Sequence, residues 1–308
     1  MVVTHHFKKS LSFLVYSNLF IAVCAWAFCA ETFLVLQLPP SIDWFLLLLP
    51  LSTLFVYGLH YFRKTGKPQS DARLDWCRQN KWVLLFLLAA SGIGVAAAVI
   101  YYRKDIFLIN GHLNYINIFF FLVIPLLSLG YTHPFIPRMK KGIRQVGWLK
   151  LVLLSFIWSF TTTLLPVLMI NNQEVLPHTV LQLSILFLHR FFFVAGLCVL
   201  FNINDVKEDE ADGVKTIAVM LGPEKTLAKG KWLFLLLNTI FAILLLAVFN
   251  LHHPLFYISV IIPVALVFLQ FHYFKTGTNE ADFVLRTDGL MIVQALLLIF
   301  ALLITTYK

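Results

Sequence analysis

The sequence predicts an all-α, polytopic membrane bundle of nine transmembrane helices. Three observations carry that prediction. First, 60% of the 308 residues are hydrophobic and only 13% are charged, with 30 phenylalanines among them. An ordinary soluble domain holds roughly a quarter charged residues, and a single aqueous core does not absorb such an apolar surplus. Second, apolar stretches of about 20 residues, the length that crosses ~30 Å of hydrocarbon, recur along the chain. Third, the basic residues collect in alternate connections, on one face. These features exclude a soluble α/β enzyme, a disulfide-stapled secreted domain and a disordered chain.

The spans read as 11–37, 42–62, 82–102, 115–131, 148–169, 178–203, 232–251, 254–274 and 289–306. Each is continuously apolar, whereas barrel strands alternate over ~10 residues, so helices are expected. The first follows Lys8 and Lys9 but is too long for the apolar part of a signal peptide and lacks a small-x-small cleavage site. The third carries a run of small residues (Ala89, Ala90, Ser91, Gly92, Gly94, Ala96) suited to close helix packing. Pro125, Pro166 and Pro263 lie inside spans and predict local kinks. Arg190, beside His189 in the sixth span, would cost at least ~2.5–3.5 kcal/mol facing lipid, so it should point inward to a cavity or a carboxylate. Glu31 is expected near the outer end of the first helix, where solvation makes it cheap. Cys24, Cys29 and Cys198 sit in apolar runs without metal-site spacing and read as small buried hydrophobes.

Twenty of the 24 basic residues fall at the N-terminus or in the 2–3, 4–5, 6–7 and 8–9 loops. The opposite face has Arg103, Lys104 and Lys308. The positive-inside rule therefore puts the N-terminus in the cytoplasm and the C-terminus on the other side. That asymmetry accounts for the net charge of +9 without nucleic acid. No repeat or low-complexity tract interrupts the pattern, so residues 1–308 read as one membrane domain.

Carboxylates number only fifteen, and their densest group follows the sixth span: Asn202, Asn204, Asp205, Glu208, Asp209, Glu210 and Asp212. Asp205 and Asp209 are four apart, so on a helix they share a face and repel unless a cation lies between them. Oxygen ligands suit Mg2+, which takes one or two protein carboxylates and completes its shell with water and substrate phosphates. A solvated acidic loop beside the membrane has the same spacing.

The run Asn204 to Gly222 closely resembles the second aspartate motif of the UbiA-type intramembrane prenyltransferases. That pattern is D-x-x-x-D, a glycine four residues on, then a threonine and an apolar stretch ending in Leu-Gly. Asp205, Asp209, Gly213, Thr216, Leu221 and Gly222 occupy those positions. Tyr131, Pro134, Arg138, Lys140 and Lys141 resemble the family's tyrosine-proline-basic segment after the fourth helix. Nine helices with the motif loops on one face match the family's topology, which implies a cavity open to the cytoplasmic face. The family's first motif, N-D-x-x-D-x-x-x-D, is missing. In register, its acidic positions become His60, Arg63 and Lys67. Asp71 and Asp75 follow, four apart, as either a relocated metal pair or an exposed amphipathic connector.

The resemblance implies Mg2+-dependent transfer of an isoprenoid chain from its diphosphate to an aromatic or other lipophilic acceptor. Asp205 and Asp209 would hold the metal and Asn202 and Asn204 would orient them. Lys140, Lys141, Lys207 and Lys215 would bind phosphate oxygens, with His60 and Arg63 supplying charge where the first metal is lost. Arg63 is the strongest of these candidates because a guanidinium grips two phosphate oxygens. The alternatives are a non-catalytic or repurposed relative that binds prenyl lipids or assists a quinone or pigment pathway, and, more weakly, a transporter. A transporter is opposed by the absence of an inverted-repeat signal.

Overall fold

The computed structural model describes residues 10–66, 71–109, 112–132, 147–170, 178–275 and 279–306. In chain order the helices begin with α1 (Ser10–Tyr16), α2 (Leu19–Val35), α3 (Phe45–Lys64), the connector α4 (Ala72–Gln79), α5 (Lys81–Tyr101) and α6 (Arg103–Phe107). A two-residue hairpin, β1 (Leu108–Ile109) against β2 (His112–Leu113), leads to α7 (Tyr115–Thr132). Next come α8 (Gly147–Ser159), a π-helical segment (Phe160–Leu164) and α9 (Leu165–Leu168). The chain ends with α10 (Val180–Asn204), α11 (Val206–Ala211), α12 (Ile217–Leu221), α13 (Pro223–Val248), α14 (Pro254–His272) and α15 (Glu280–Thr306).

Seven helical stretches are long and apolar enough to cross a membrane: 40–64, 81–101, 147–168, 180–204, 223–248, 254–272 and 280–305. The other two expected spans differ in kind. The first is two helices, α1 and α2, bent by 71°. The fourth, α7, is a shorter apolar helix. The bend falls at Asn18, whose φ of 66° is left-handed, a conformation asparagine tolerates better than most residues. Arg73 from α4 pins it, donating from Nη2 to the Asn18 Oδ1 at 2.6 Å and the Val15 carbonyl at 3.2 Å. The last span also starts earlier than expected, at Glu280 and not 289. Arg286 and Asp288 lower the hydropathy there, yet both continue the same helix.

The helices pack in a circuit. α3 contacts α2, α2 contacts α15, and α15, α14, α13 and α10 follow in order. α10 then contacts α8, α8 contacts α7, and α7 returns to α3, with α5 against α3. Lipid-facing helices can bury little of themselves, and α5 leaves Trp82, Phe86, Ile93 and Ile100 exposed while burying Leu84 and Ser91.

Glu31 corrects the sequence reading. It is not at a solvated helix end but fully buried, with Arg190 Nη2 3.0 Å from its Oε1. Arg190 points inward as expected. It also donates to the Thr32 hydroxyl at 2.7 Å and the Thr162 carbonyl at 2.9 Å. That carbonyl is available because Pro166, four residues on, has no N–H to give it, and the helix relaxes locally to the π form. All four cysteines are buried and unpaired. Burial pushes the Cys77 thiol of α4 up to about 11, despite the nearby Arg73 charge.

Candidate active site

The polar ends of α3, α8, α10 and α15, with α4 and α11, converge on one cavity of about 740 Å³. Its body is apolar, lined by residues such as Leu48, Leu49, Phe120, Leu154, Trp158 and Val194. Its rim is charged. α3 supplies His60 and Lys64, α4 and its cap supply Arg73 and Asp71, and α8 supplies Lys150. Asn202, Asn204, Asp205, Lys207 and Glu208 come from the α10–α11 junction. Glu280, Val284, Asp288 and Met291 line it from α15, at the three- and four-residue spacing of one helix face.

Local sequence explains why the acidic junction has its shape. α10 stops at Asp205, whose ψ of 8° leaves the helical path, and α11 resumes at Val206. α11 ends in a Schellman turn: the Val214 N–H bonds the Asp209 carbonyl at 2.7 Å and the Gly213 N–H bonds that of Glu210 at 3.0 Å. This turn requires a left-handed residue, and Gly213 has φ 70°. Thr216 then caps α12, its hydroxyl accepting from the Val219 N–H at 3.3 Å. Glycine and threonine in the motif are thus chain-shaping residues that bring 209–216 back against α8.

The expected site residues divide. Asp205, Asn202, Asn204, His60 and Lys207 line the cavity together. Asn204 Nδ2 donates to Asp205 Oδ1 at 3.2 Å, consistent with an orienting role. Asp209 is elsewhere. It is 1% exposed, does not line the cavity, and receives the Lys150 ammonium on both carboxylate oxygens at 2.9 Å each. Arg63 is exposed and outside the cavity lining, and Lys64, one residue on, takes the cavity face. Lys64 stands 3.5 Å from Glu208. Lys215 is exposed outside the cavity, and Lys67, Lys140 and Lys141 lie outside the described residues.

Asp71 and Asp75 do not form a pair of their own. Asp71 caps α4 through the Leu74 N–H at 2.7 Å, and Asp75 pairs with Arg78 at 3.0 Å. Only Asp71 of the two lines the cavity. Arg73 is buried between Glu280, 3.6 Å from its Nη1, and the Tyr61 ring, whose centroid is 3.7 Å from its Cζ.

Sequence reading passed over Lys150, Arg73 and Asp288. A lysine one turn inside an apolar span was a usable signal for the first, by the same argument that singled out Arg190. Asp288 was hidden by starting the last span one residue after it. Arg73 lies in a polar connector and carried no signal.

The oxygen donors of this rim suit magnesium chemistry. Among the described residues no group of three or more His, Cys, Asp or Glu side chains is placed to hold a metal by itself. Asp205, Asn204 and Glu208 line the same rim, Glu208 beside Lys64, and one or two such oxygens are what this ion takes when phosphates complete its shell. Asp209 does not fit, because both of its oxygens are held by Lys150.

A helical membrane protein with a charged rim over an apolar cavity is the class these features define. No protein-family model matches the sequence, and no curated protein matches it. Solved structures do. A UbiA homolog from Aeropyrum pernix K1, in its apo form, superposes with a TM-score of 0.58 at 14% identity over 92% of this chain and 98% of that one. A UbiA homolog from Archaeoglobus fulgidus, bound to GPP and Mg2+, gives 0.58 at 13% identity over 96% and 99%. Its complex with DMAPP and Mg2+ gives 0.57 over 96% and 100%. The chain has the fold of these UbiA homologs.

Proposed function

We propose that residues 1–308 form one intramembrane prenyltransferase domain. It transfers an isoprenoid chain from its diphosphate to an aromatic or related lipophilic acceptor. The observation that carries this reading is the cavity itself: a UbiA-type fold enclosing about 740 Å³, apolar within and charged at one rim. An allylic diphosphate has that same division into a greasy chain and a polyanionic head. The Archaeoglobus fulgidus homolog holds two such diphosphates, each with Mg2+.

The residues divide the work. Asp205 holds magnesium with Asn204 and Asn202 beside it, and Lys207 binds phosphate oxygens. Bound there, magnesium supplies charge neutralisation to the diphosphate leaving group. The apolar walls keep water from the allylic cation left when the C–O bond breaks. Phe120 and Trp158 line the cavity, where aromatic rings steady positive charge by cation–π attraction. Lys64, with His60 one turn before it, stands where the family's first acidic motif is absent, so a lysine charge replaces one metal site.

Geranyl diphosphate should bind the purified protein in nanodiscs more tightly as Mg2+ is raised, and Asp205→Asn should remove most of that dependence. Losing one charged ligand interaction of ~1.5–3 kcal/mol corresponds to about tenfold to a hundredfold in affinity. Equal Mg2+ dependence in wild type and variant overturns the role of Asp205. A second reading, a prenyl-lipid binder without turnover, is favoured by the engagement of Asp209 with Lys150. Binding with no diphosphate release in the presence of any aromatic acceptor selects it.

The chain is further proposed to cross the membrane nine times, with the N-terminus and cavity mouth cytoplasmic. A reporter that functions only in the cytoplasm should be silent when fused after Lys308. A strong signal there reverses the orientation.

A further inference from the structure

We propose that Lys150 is a built-in cation of the diphosphate site, and that Asp209 is its positioning residue and not a magnesium ligand. This rests on the prenyl-diphosphate reading above. An ammonium has three N–H donors. Two distances of 2.9 Å assign two of them to the Asp209 oxygens, and Lys150 makes no other hydrogen bond among the described residues. Its third donor has no partner among the described residues, and Lys150, 6% exposed, lines the cavity. Asp209, 1% exposed, does not line the cavity.

The surroundings make the arrangement directional. The Asp209 backbone is locked by the α11 turn, its carbonyl accepting from Val214 and its N–H donating to the Asp205 carbonyl at 2.9 Å. Its carboxylate is therefore a fixed seat. A divalent ion reaching Asp209 would have to displace a buried ammonium from two charge-assisted hydrogen bonds, leaving that ammonium without its counter-charge. Two other rim cations are committed differently. Lys64 stands on Glu208, and Arg73 is spent on the α1–α2 bend. Lys150, in contrast, is seated so that an arriving phosphate oxygen meets an already oriented donor.

Two consequences follow for measurement. Diphosphate binding should depend on the first power of magnesium concentration, since only the Asp205 position takes an ion. Binding should also need Lys150 at every magnesium concentration. The probe is geranyl S-thiolodiphosphate, whose C–S bond does not ionise, titrated against the full chain in nanodiscs. Asp209→Asn keeps the lysine but removes its counter-charge, and should bind about threefold to tenfold more weakly than wild type with the same first-power dependence. The neutral pair Lys150→Met with Asp209→Asn leaves no buried charge unmatched, and should bind about tenfold to a hundredfold more weakly, unrescued by magnesium.

If the double variant binds like Asp209→Asn alone, Lys150 does not touch the head group and the inference falls while the prenyl-diphosphate reading stands. A second-power dependence in wild type that drops to first power in Asp209→Asn makes Asp209 a metal ligand. That outcome also overturns the inference, and it does not require the double variant to fold. Failure of the wild type to bind the probe at any magnesium concentration overturns both readings.

Discussion

Replacing Arg190 with methionine should destabilise the protein by about 3–5 kcal/mol, the range for removing one partner of a buried ion pair. Arg190 and Glu31 are each fully buried, joining α10 to α2 within the membrane-spanning part of the bundle. The Nη2–Oε1 approach of 3.0 Å is a charge contact, and the Glu31 oxygens accept no aligned hydrogen bond among the described residues. Without the guanidinium nothing compensates that carboxylate except taking up a proton. The loss spreads to the π-helical segment after α8 through the Thr162 carbonyl, which Pro166 leaves open and which Arg190 and the Thr32 hydroxyl share at 2.9 and 2.6 Å. The guanidinium also lies over the Phe28 ring, 4.6 Å from its centroid. Three spans meet at this one side chain. Thermal unfolding in nanodiscs, followed by tryptophan fluorescence, measures the effect. The double variant Arg190→Met with Glu31→Gln should recover most of the stability, because the orphaned charge is gone. If the single variant melts with wild type, the pair is not holding the three spans together.

The same pair shows what the sequence conveys and what it withholds. Hydropathy located seven helical spans because lipid selects long apolar runs whatever their neighbours, but it missed the bend at Asn18 and the polar first turns of α15. It also said that Arg190 had to face inward. It could not say that Glu31 was the partner, since which turn of α2 meets which turn of α10 is decided by packing across the bundle. Rim residues failed for a similar reason. His60 and Lys64 are four apart and share a helix face, whereas Arg63 was chosen by aligning it to a motif that this chain lacks. Asp205 and Asp209 do keep their helical spacing, the Asp209 N–H bonding the Asp205 carbonyl. Their carboxylates part company because ψ changes at Asp205 and because Lys150 arrives from a helix far away in sequence. Spacing reports a shared face, and only the fold reports what stands opposite it.

Gly147→Ala should lower both stability and affinity for the head group, although residue 147 does not line the cavity. A Cβ on Gly147 would overlap the Lys215 carbonyl and stand 2.5 Å from the Thr216 amide nitrogen. Both obstacles are backbone, held in place by the α11 turn and the Thr216 cap, so no rotamer change relieves them. The first turn of α8 must therefore retreat from the 215–216 segment. Overpacking of this kind typically costs about 1–3 kcal/mol. Lys150 is one turn further along the same helix, and its seat, Asp209, belongs to the structure being pushed away. A shift of even about an ångström lengthens two hydrogen bonds that are at 2.9 Å in the native protein. Affinity for geranyl S-thiolodiphosphate should accordingly fall toward that of the Lys150 variant, by about tenfold. Gly58→Ala is the control. Its added Cβ would meet only Leu88 Cδ1 at 3.6 Å, an ordinary contact, and alanine favours the helix by up to ~1 kcal/mol over glycine. Gly58→Ala should melt at or above wild type and bind normally. Should Gly147→Ala lose stability but keep wild-type affinity, the close approach of α8 to the motif loop supports the fold without setting the position of Lys150.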